Sequence, residues 1–306
     1  MILLFAMVVG MGLYVALSQT GNLEIGGNGN ATSSGVTLQN TLFWWRNVGR
    51  GTSSVQSPPP QSPPQKNVEQ PKPVPPVGFS EKDLSPFYGQ VRITSVNPPD
   101  PYTYSPMHVF TLAAESGNKE PIFITGWRVK GNRRQETYVP NGISDMNPVS
   151  VGGAQTRIAL SPGEYANFYT NASSIGRNFR LNKCTGFLNN FYAFVPVLPN
   201  ECPALFERGE VITFSGECQS FLFSLPSCAN IDPNDRNLFT GENDNGCRTV
   251  MDRYNFGYCY NRLRSQPNFF SLEWKVWLSE RPNFDRQHDR ILLLDNVGLL
   301  VDEYVY

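Results

Sequence analysis

Apolar and polar side chains alternate with period two along much of the chain beyond residue 79, which predicts a succession of short strands. In residues 91–96, Val91 and Ile93 alternate with Arg92 and Thr94, as in a half-buried strand; residues 109–114 form a second candidate. Residues 123–129 lead into Lys130-Gly131-Asn132-Arg133, with residues 137–140 following, and Gly-Asn between β-prone runs is a hairpin signal. Residues 156–160 meet the turn Ser161-Pro162-Gly163-Glu164, residues 165–169 are apolar again, and 179–181 form a short further segment. Phe270, Leu272, Trp274, Val276 and Leu278 occupy every second position, predicting a strand that packs back on the body or extends one of its sheets. Residues 290–295 are apolar on both faces, which predicts a central strand between two sheets, and Asn296-Val297-Gly298 turns the chain into a last strand over 299–306. Many short strands with frequent turn signals predict a mainly β protein built as a β-sandwich.

Helical spacing is confined to a few places. Phe187, Leu188 and Phe191 share a face of a predicted helix that opens at Cys184, and residues 218–225 form a second short helix bounded by Pro226 and Cys228. Residues 1–17 carry no charged side chain. As a helix they would span roughly 26 Å at about 1.5 Å per residue, enough for an uncleaved anchor in a thin bilayer. The alternative is a signal peptide cleaved after the small-x-small site Ala16-Leu17-Ser18. Both readings place residues 19 onward outside the cytoplasm, with the membrane as partner through residues 1–18. The first basic residue is Arg46, so flanking charge does not choose between them.

Residues 19–56 are rich in Gly, Asn, Ser and Thr, interrupted by the aromatic cluster Leu42-Phe43-Trp44-Trp45-Arg46. That cluster reads equally as an interfacial foot on a membrane surface or as a segment packed on the globular part. Residues 57–77 hold nine prolines and predict a polyproline II spacer of about 65 Å at roughly 3.1 Å per residue. The expected organisation is an anchor or signal peptide over 1–18, a low-complexity, proline-rich stalk over 19–78, and a globular part over 79–306.

Composition adds compartment rather than activity. All six cysteines lie between Cys184 and Cys259, and an even count in one window behind an apolar segment predicts disulfides formed in an oxidising compartment. Sequential neighbours are the expected pairs: Cys184 with Cys202, Cys218 with Cys228, Cys247 with Cys259. Neither histidine falls in this window and no CxxC pair exists, which argues against zinc. Charged residues make up 17% of the chain and the formal net charge is −1, so the overall balance exerts no strong pull on nucleic acid or anionic membrane.

A set of motifs, taken in order, resembles the lamin-tail domain. They are Gly126-Trp127-Arg128-Val129, Tyr138-Val139-Pro140, Leu160-Ser161-Pro162-Gly163-Glu164, Phe179-Arg180-Leu181-Asn182, and the block from Asp289 to Tyr304, DRILLLDNVGLLVDEY. The last is the most specific. The resemblance covers residues 85–182 and 286–306 and implies an immunoglobulin-like β-sandwich of the kind found in secreted and surface-attached bacterial proteins. In the plain family pattern the Phe-x-Leu-Asn block runs almost directly into the final hairpin. Here residues 183–285 intervene, and this insertion, expected as a disulfide-stapled α/β unit, holds every cysteine.

Candidate sites are few. Arg128, Lys130, Arg133 and Arg134 cluster on the Gly-Asn hairpin, where they could grip phosphate or an acidic polysaccharide. The association of some lamin-tail domains with nucleic acids or nuclease domains adds nucleic acid as a minor possibility. Asp232, Asp235 and Asp244 lie in oxygen-rich loops that suit calcium, although neither loop has the EF-hand spacing. His108 and His288, the latter beside Asp289, come without a nucleophile signature. The expectation is a membrane-tethered, extracytoplasmic, non-catalytic module, without a cofactor, that binds a protein, glycan or envelope component through loops on a rigid scaffold. The alternative is a secreted or surface hydrolase whose active site lies in the insertion.

Overall fold

The computed structural model describes residues 74–100, 102, 107–148 and 153–306. The expected anchor or signal peptide over residues 1–18 and nearly all of the expected stalk lie outside these residues. Among the described residues no helix is long and apolar enough to cross a membrane.

The described chain is mainly β. Its strands are β1 (Val91–Val96), β2 (His108–Ala114), β3 (Ile122–Phe123), β4 (Arg128–Lys130), β5 (Glu136–Tyr138), β6 (Ala159–Leu160), β7 (Tyr165–Tyr169), β8 (Phe179–Asn182), β9 (Phe270–Trp277), β10 (Arg290–Leu294) and β11 (Leu300–Val305). A five-stranded sheet runs β1-β2-β7-β9-β8, a four-stranded sheet runs β11-β10-β4-β5, and β3 pairs with β6. Every pairing is antiparallel except β7 with β9, which is parallel with Tyr165 opposite Glu273 and Tyr169 opposite Trp277.

The period-two pattern explains the core. Val91, Ile93, Phe110, Leu112, Phe168, Trp274 and Val276 point from the five-stranded sheet into one buried cluster with Val129, Ile291, Leu293 and Val301 of the four-stranded sheet. Phe110 and Phe168 stack at its centre with ring centroids 4.3 Å apart. β10 is a central strand, as its apolar run predicts, but it lies within one sheet between β11 and β4 rather than between two sheets. Only one face is closed, however: Ile291 and Leu293 are buried, while Leu292 and Leu294 are half-buried. The turn into β11 is closed by Asp295, whose Oδ1 accepts from the backbone N–H of Val297 (3.0 Å) and Leu299 (2.9 Å).

One buried carboxylate ties the loop before β7 to the sheet. Glu164 is 2% exposed and accepts from Trp274 Nε1 at 3.2 Å, the Ser161 N–H at 3.1 Å and Arg180 Nη2 at 2.7 Å. A buried charge is tolerable when its lone pairs are occupied in this way.

Between β8 and β9 the chain leaves the sheets. A 3-10 helix (Thr185–Asn190) is followed by α1 (Arg208–Val211), α2 (Gly216–Ser224), α3 (Asn245–Asp252) and α4 (Phe256–Leu263). The Ser215 side chain caps α2 by accepting from the Cys218 N–H, and Asn255 caps α4 by accepting from the Tyr258 N–H. α3 buries Cys247, Val250 and Met251, and α4 buries Phe256, Cys259, Tyr260 and Leu263, so each has one apolar face. Phe187 and Leu188 are buried as expected, but Phe191 is 65% exposed because the helix ends at Asn190 and the chain turns away.

All six cysteines are bridged, and none of the sequential pairs forms. Cys184 joins Cys259, Cys202 joins Cys228, and Cys218 joins Cys247. Partner choice follows helix packing: α2 and α3 meet through Cys218 and Cys247 in a small cluster with Val211, Leu222, Phe239 and Val250. α4 lies over the start of the excursion, so Cys259 reaches Cys184. A second cluster joins Phe179, Leu181 and Trp277 of the sheet to Phe187, Phe194, Phe256 and Phe269. Three buried disulfides are characteristic of proteins that mature in oxidising compartments.

Candidate functional site: an arginine-lined cleft

The basic hairpin is formed by β4 and β5, with Lys130 opposite Glu136 and Arg128 opposite Tyr138. Alternation puts Arg128, Lys130 and Glu136 on one face. Arg128 Nη1 lies 3.2 Å from Glu136 Oε2, and Lys130 Nζ lies 3.5 Å from Oε1. Burial alone would raise the Glu136 pKa, but the hydrogen bond and charge of Arg128, with help from Tyr138 and Lys130, hold it below the ordinary carboxylate value. These two cations therefore serve the sheet.

Beyond the strand end the chain takes a different course. Gly131 packs against Asp289, and a Cβ there would sit 2.6 Å from Asp289 Oδ2, so a larger residue does not fit. Asp289 is fully buried. Its Oδ1 accepts from the backbone N–H of Asn132 (2.7 Å) and Arg290 (2.8 Å), and its Oδ2 from the N–H of Asp285 (2.7 Å). The Tyr306 hydroxyl donates to the Asp285 carbonyl at 2.5 Å. Burial, followed by the charges of Asp289 and Asp285, pushes the Tyr306 pKa up to about 12, so this donor keeps its proton. One carboxylate thus fixes the hairpin tip against the segment leading into β10.

That clamp sets the walls of a cleft of about 430 Å³ lined by Arg133, Arg281 and Arg286, with Pro99, Pro282 and Phe284 contributing apolar surface. Arg133 donates to Asn283 Oδ1 and Asp285 Oδ2, each at 3.2 Å. Arg281 Nη1 donates to the Asp100 carbonyl at 3.4 Å, and Arg286 Nη1 lies 3.7 Å from Asp100 Oδ1. The Gln287 backbone N–H, then Arg133, hold the Asp285 carboxyl below its ordinary range. The three guanidinium groups thus sit among the carboxylates of Asp285 and Asp100. Arg134 is exposed at the hairpin tip with φ 62°, in the left-handed region. Guanidinium is the side chain best shaped to hold carboxylate, sulfate or phosphate by paired hydrogen bonds.

Of the four basic residues singled out by sequence, Arg133 lines this cleft, Arg134 stands beside it in the chain, and Arg128 and Lys130 are committed to Glu136. Arg281 and Arg286 were not anticipated; their signal is the run Arg281-Pro282-Asn283-Phe284-Asp285-Arg286.

The calcium candidates do not converge. Asp232 Oδ1 accepts from the Asn234 N–H, Asp235 opens a 3-10 helix (Asp235–Leu238), and Asp244 directly precedes α3. Among the described residues no group of three His, Cys, Asp or Glu is placed to hold a metal ion. His288 is exposed, and its neighbour Asp289 is occupied by backbone donors.

No family model matches the chain, and no curated protein or solved structure does either.

Proposed function

We propose that this chain is a membrane-tethered, extracytoplasmic, non-catalytic binding module whose arginine-lined cleft takes an anionic glycan of the cell envelope. The scaffold in this reading is an immunoglobulin-like β-sandwich of the lamin-tail type, interrupted by a disulfide-stapled insertion and carried on a proline-rich stalk. The observation that supports it is the buried Asp289 hub, which holds two loops so that Arg133, Arg281 and Arg286 line one cleft before any ligand arrives. Preset cations lose little conformational entropy on binding. Fixed guanidinium pairs suit the carboxylates or sulfates of an acidic polysaccharide.

Surface plasmon resonance of the full chain over immobilised polygalacturonate and heparin tests this. The Arg281→Ser/Arg286→Ser double variant is expected to lose roughly tenfold or more in affinity, about 1.4 kcal/mol, with its melting temperature unchanged. An Arg128→Ser variant is expected to lose little. Absence of binding to either polymer, or binding that ignores the double variant, refutes the reading. Tighter binding of a duplex oligonucleotide with a steep salt slope would move the assignment to nucleic acid.

A further inference from the structure

The face of the five-stranded sheet turned away from the shared core carries a continuous hydrogen-bonded row. Asn97 Nδ2 donates to His108 Nδ1 at 2.8 Å, which leaves Nε2 as the protonated nitrogen, 2.8 Å from Thr111 Oγ1. Thr111 donates to Asn167 Oδ1 at 2.7 Å, and Asn167 Nδ2 donates to Glu273 Oε1 at 2.9 Å. Lys275, 6% exposed, completes the row with Nζ 2.9 Å from the same Glu273 oxygen and 3.1 Å from the Tyr169 hydroxyl. Three strands contribute, and each side chain fixes the next.

At the Glu273 end this row opens into a cleft of about 350 Å³ between the sheet and the excursion, bordered by Tyr165, Lys183, Glu201, Asn268, Phe270 and Glu273. Its far walls are pinned covalently. Lys183 precedes Cys184 of the Cys184–Cys259 bridge, and Glu201 precedes Cys202 of the Cys202–Cys228 bridge. Lys183 Nζ is itself positioned by Asn268 Oδ1 at 2.7 Å and Gln266 Oε1 at 3.2 Å. The volume falls within the range of small-ligand sites.

We propose that this cleft binds a neutral sugar. The charges on and behind its lining cancel, Lys183 and Lys275 against Glu201 and Glu273, so nothing selects an ion of either sign. Donors and acceptors alternate around it: Lys183 and the Asn268 amide donate, the Glu273 and Glu201 carboxylates accept, and the Tyr165 hydroxyl does both. Tyr165 and Phe270 add aromatic surface against which the apolar face of a pyranose packs. Burial, and then the Glu273 charge, raise the Tyr165 pKa, so its hydroxyl stays a donor. Glu273 Oε1 is occupied by Asn167 and Lys275, which directs a sugar hydroxyl to Oε2. The site is independent of the arginine cleft in position and in charge.

Saturation-transfer NMR and calorimetry on the full chain test it, with glucose, galactose, mannose, N-acetylglucosamine, maltose, cellobiose and chitobiose as probes. At least one sugar is expected to bind with a Kd of about 10 mM or tighter. Tyr165→Ala and Asn268→Ala should each weaken it roughly tenfold at unchanged melting temperature, and Tyr165→Phe should recover part of the loss. Arg281→Ser/Arg286→Ser should leave sugar binding unchanged, which separates failure here from failure of the anionic-ligand reading. The proposal is overturned if none of these sugars binds, if binding survives both alanine variants, or if glucuronate binds this cleft more tightly than glucose.

Discussion

The sheets and the excursion between β8 and β9 are held together by different physics. The sheet body contains no cysteine; its order comes from strand pairing and one apolar cluster that draws on both large sheets. The excursion contains all six cysteines and four helices of four to nine residues. Helices that short are marginal in water unless tertiary contacts hold them; a large cluster shared with the sheet edge and a small one around α2 and α3 share the task with three bridges. Where short helices alternate with long loops, cross-links add to apolar burial by restricting the unfolded state.

The comparison can be broken most severely at Cys184–Cys259, which spans 75 residues and joins the sheet-proximal start of the excursion to α4. The chain-entropy relation gives about 4.5 kcal/mol for a loop of that length, against roughly 3.5 kcal/mol for the Cys202–Cys228 and Cys218–Cys247 loops. Cys184→Ala/Cys259→Ala should therefore destabilise more than Cys218→Ala/Cys247→Ala. Hydrogen exchange should show α2 to α4 losing protection while β1, β2 and β7 retain it. Equal loss in both regions would mean that body and excursion unfold as one unit.

A slightly smaller effect is expected from the body side. Trp274 is 1% exposed and donates to Glu164, so Trp274→Ala removes a large core side chain and one partner of a buried carboxylate. A loss of about 4 kcal/mol is expected by urea denaturation, with protection lost first in the sheets. Loss confined to the helices would invert the comparison.

The smallest effect is a pH dependence belonging to the body alone, since the excursion has no histidine. Burial first, with the nearby Lys275 charge, lowers the His108 pKa below its ordinary 6.5, outweighing the hydrogen bonds and Glu273 that pull upward. The unfolded chain then holds the proton more readily than the native one. His108 thus contributes fully above the unfolded value, and its contribution falls as pH drops through that value toward the depressed folded one. Urea midpoints should fall between about pH 7.5 and pH 5.5, with a shallower slope in His108→Gln. An unchanged slope would show that His108 is not the group responsible.

Much of the body was legible because strand periodicity is local. The alternation in β1 and β9, the Gly-Asn hairpin of β4 and β5, and the β10 to β11 turn all rest on neighbours in sequence. What was hidden depends on register and on distant partners. Nothing local indicates that β9 enters between β7 and β8, parallel to one and antiparallel to the other. Cysteine partners were misread because nearness along the chain replaced helix packing. The spacing 247, 250, 251 and 256, 259, 260, 263 is helical, and it places Cys247 and Cys259 on two separate helices rather than in a pair. At the candidate site the hairpin cations were visible and their neutralisation was not, because Lys130 faces Glu136 only once the register is known. Arg281 and Arg286 join Arg133 from more than a hundred positions away, through a fold that Asp289 completes.

The intercalated strand also governs the order in which the molecule can be finished. β8 lies at the sheet edge, held by β9 and by a single bridge from Phe179 to Ile143, and β10 and β11 come later still. A nascent chain truncated before residue 270 would carry every thiol but neither large sheet in finished form. Cys218 and Cys247 would already have their helices, whereas the cluster around Cys184 and Cys259 would still lack Trp277. The surroundings of Cys184–Cys259 are thus completed only when β9 arrives.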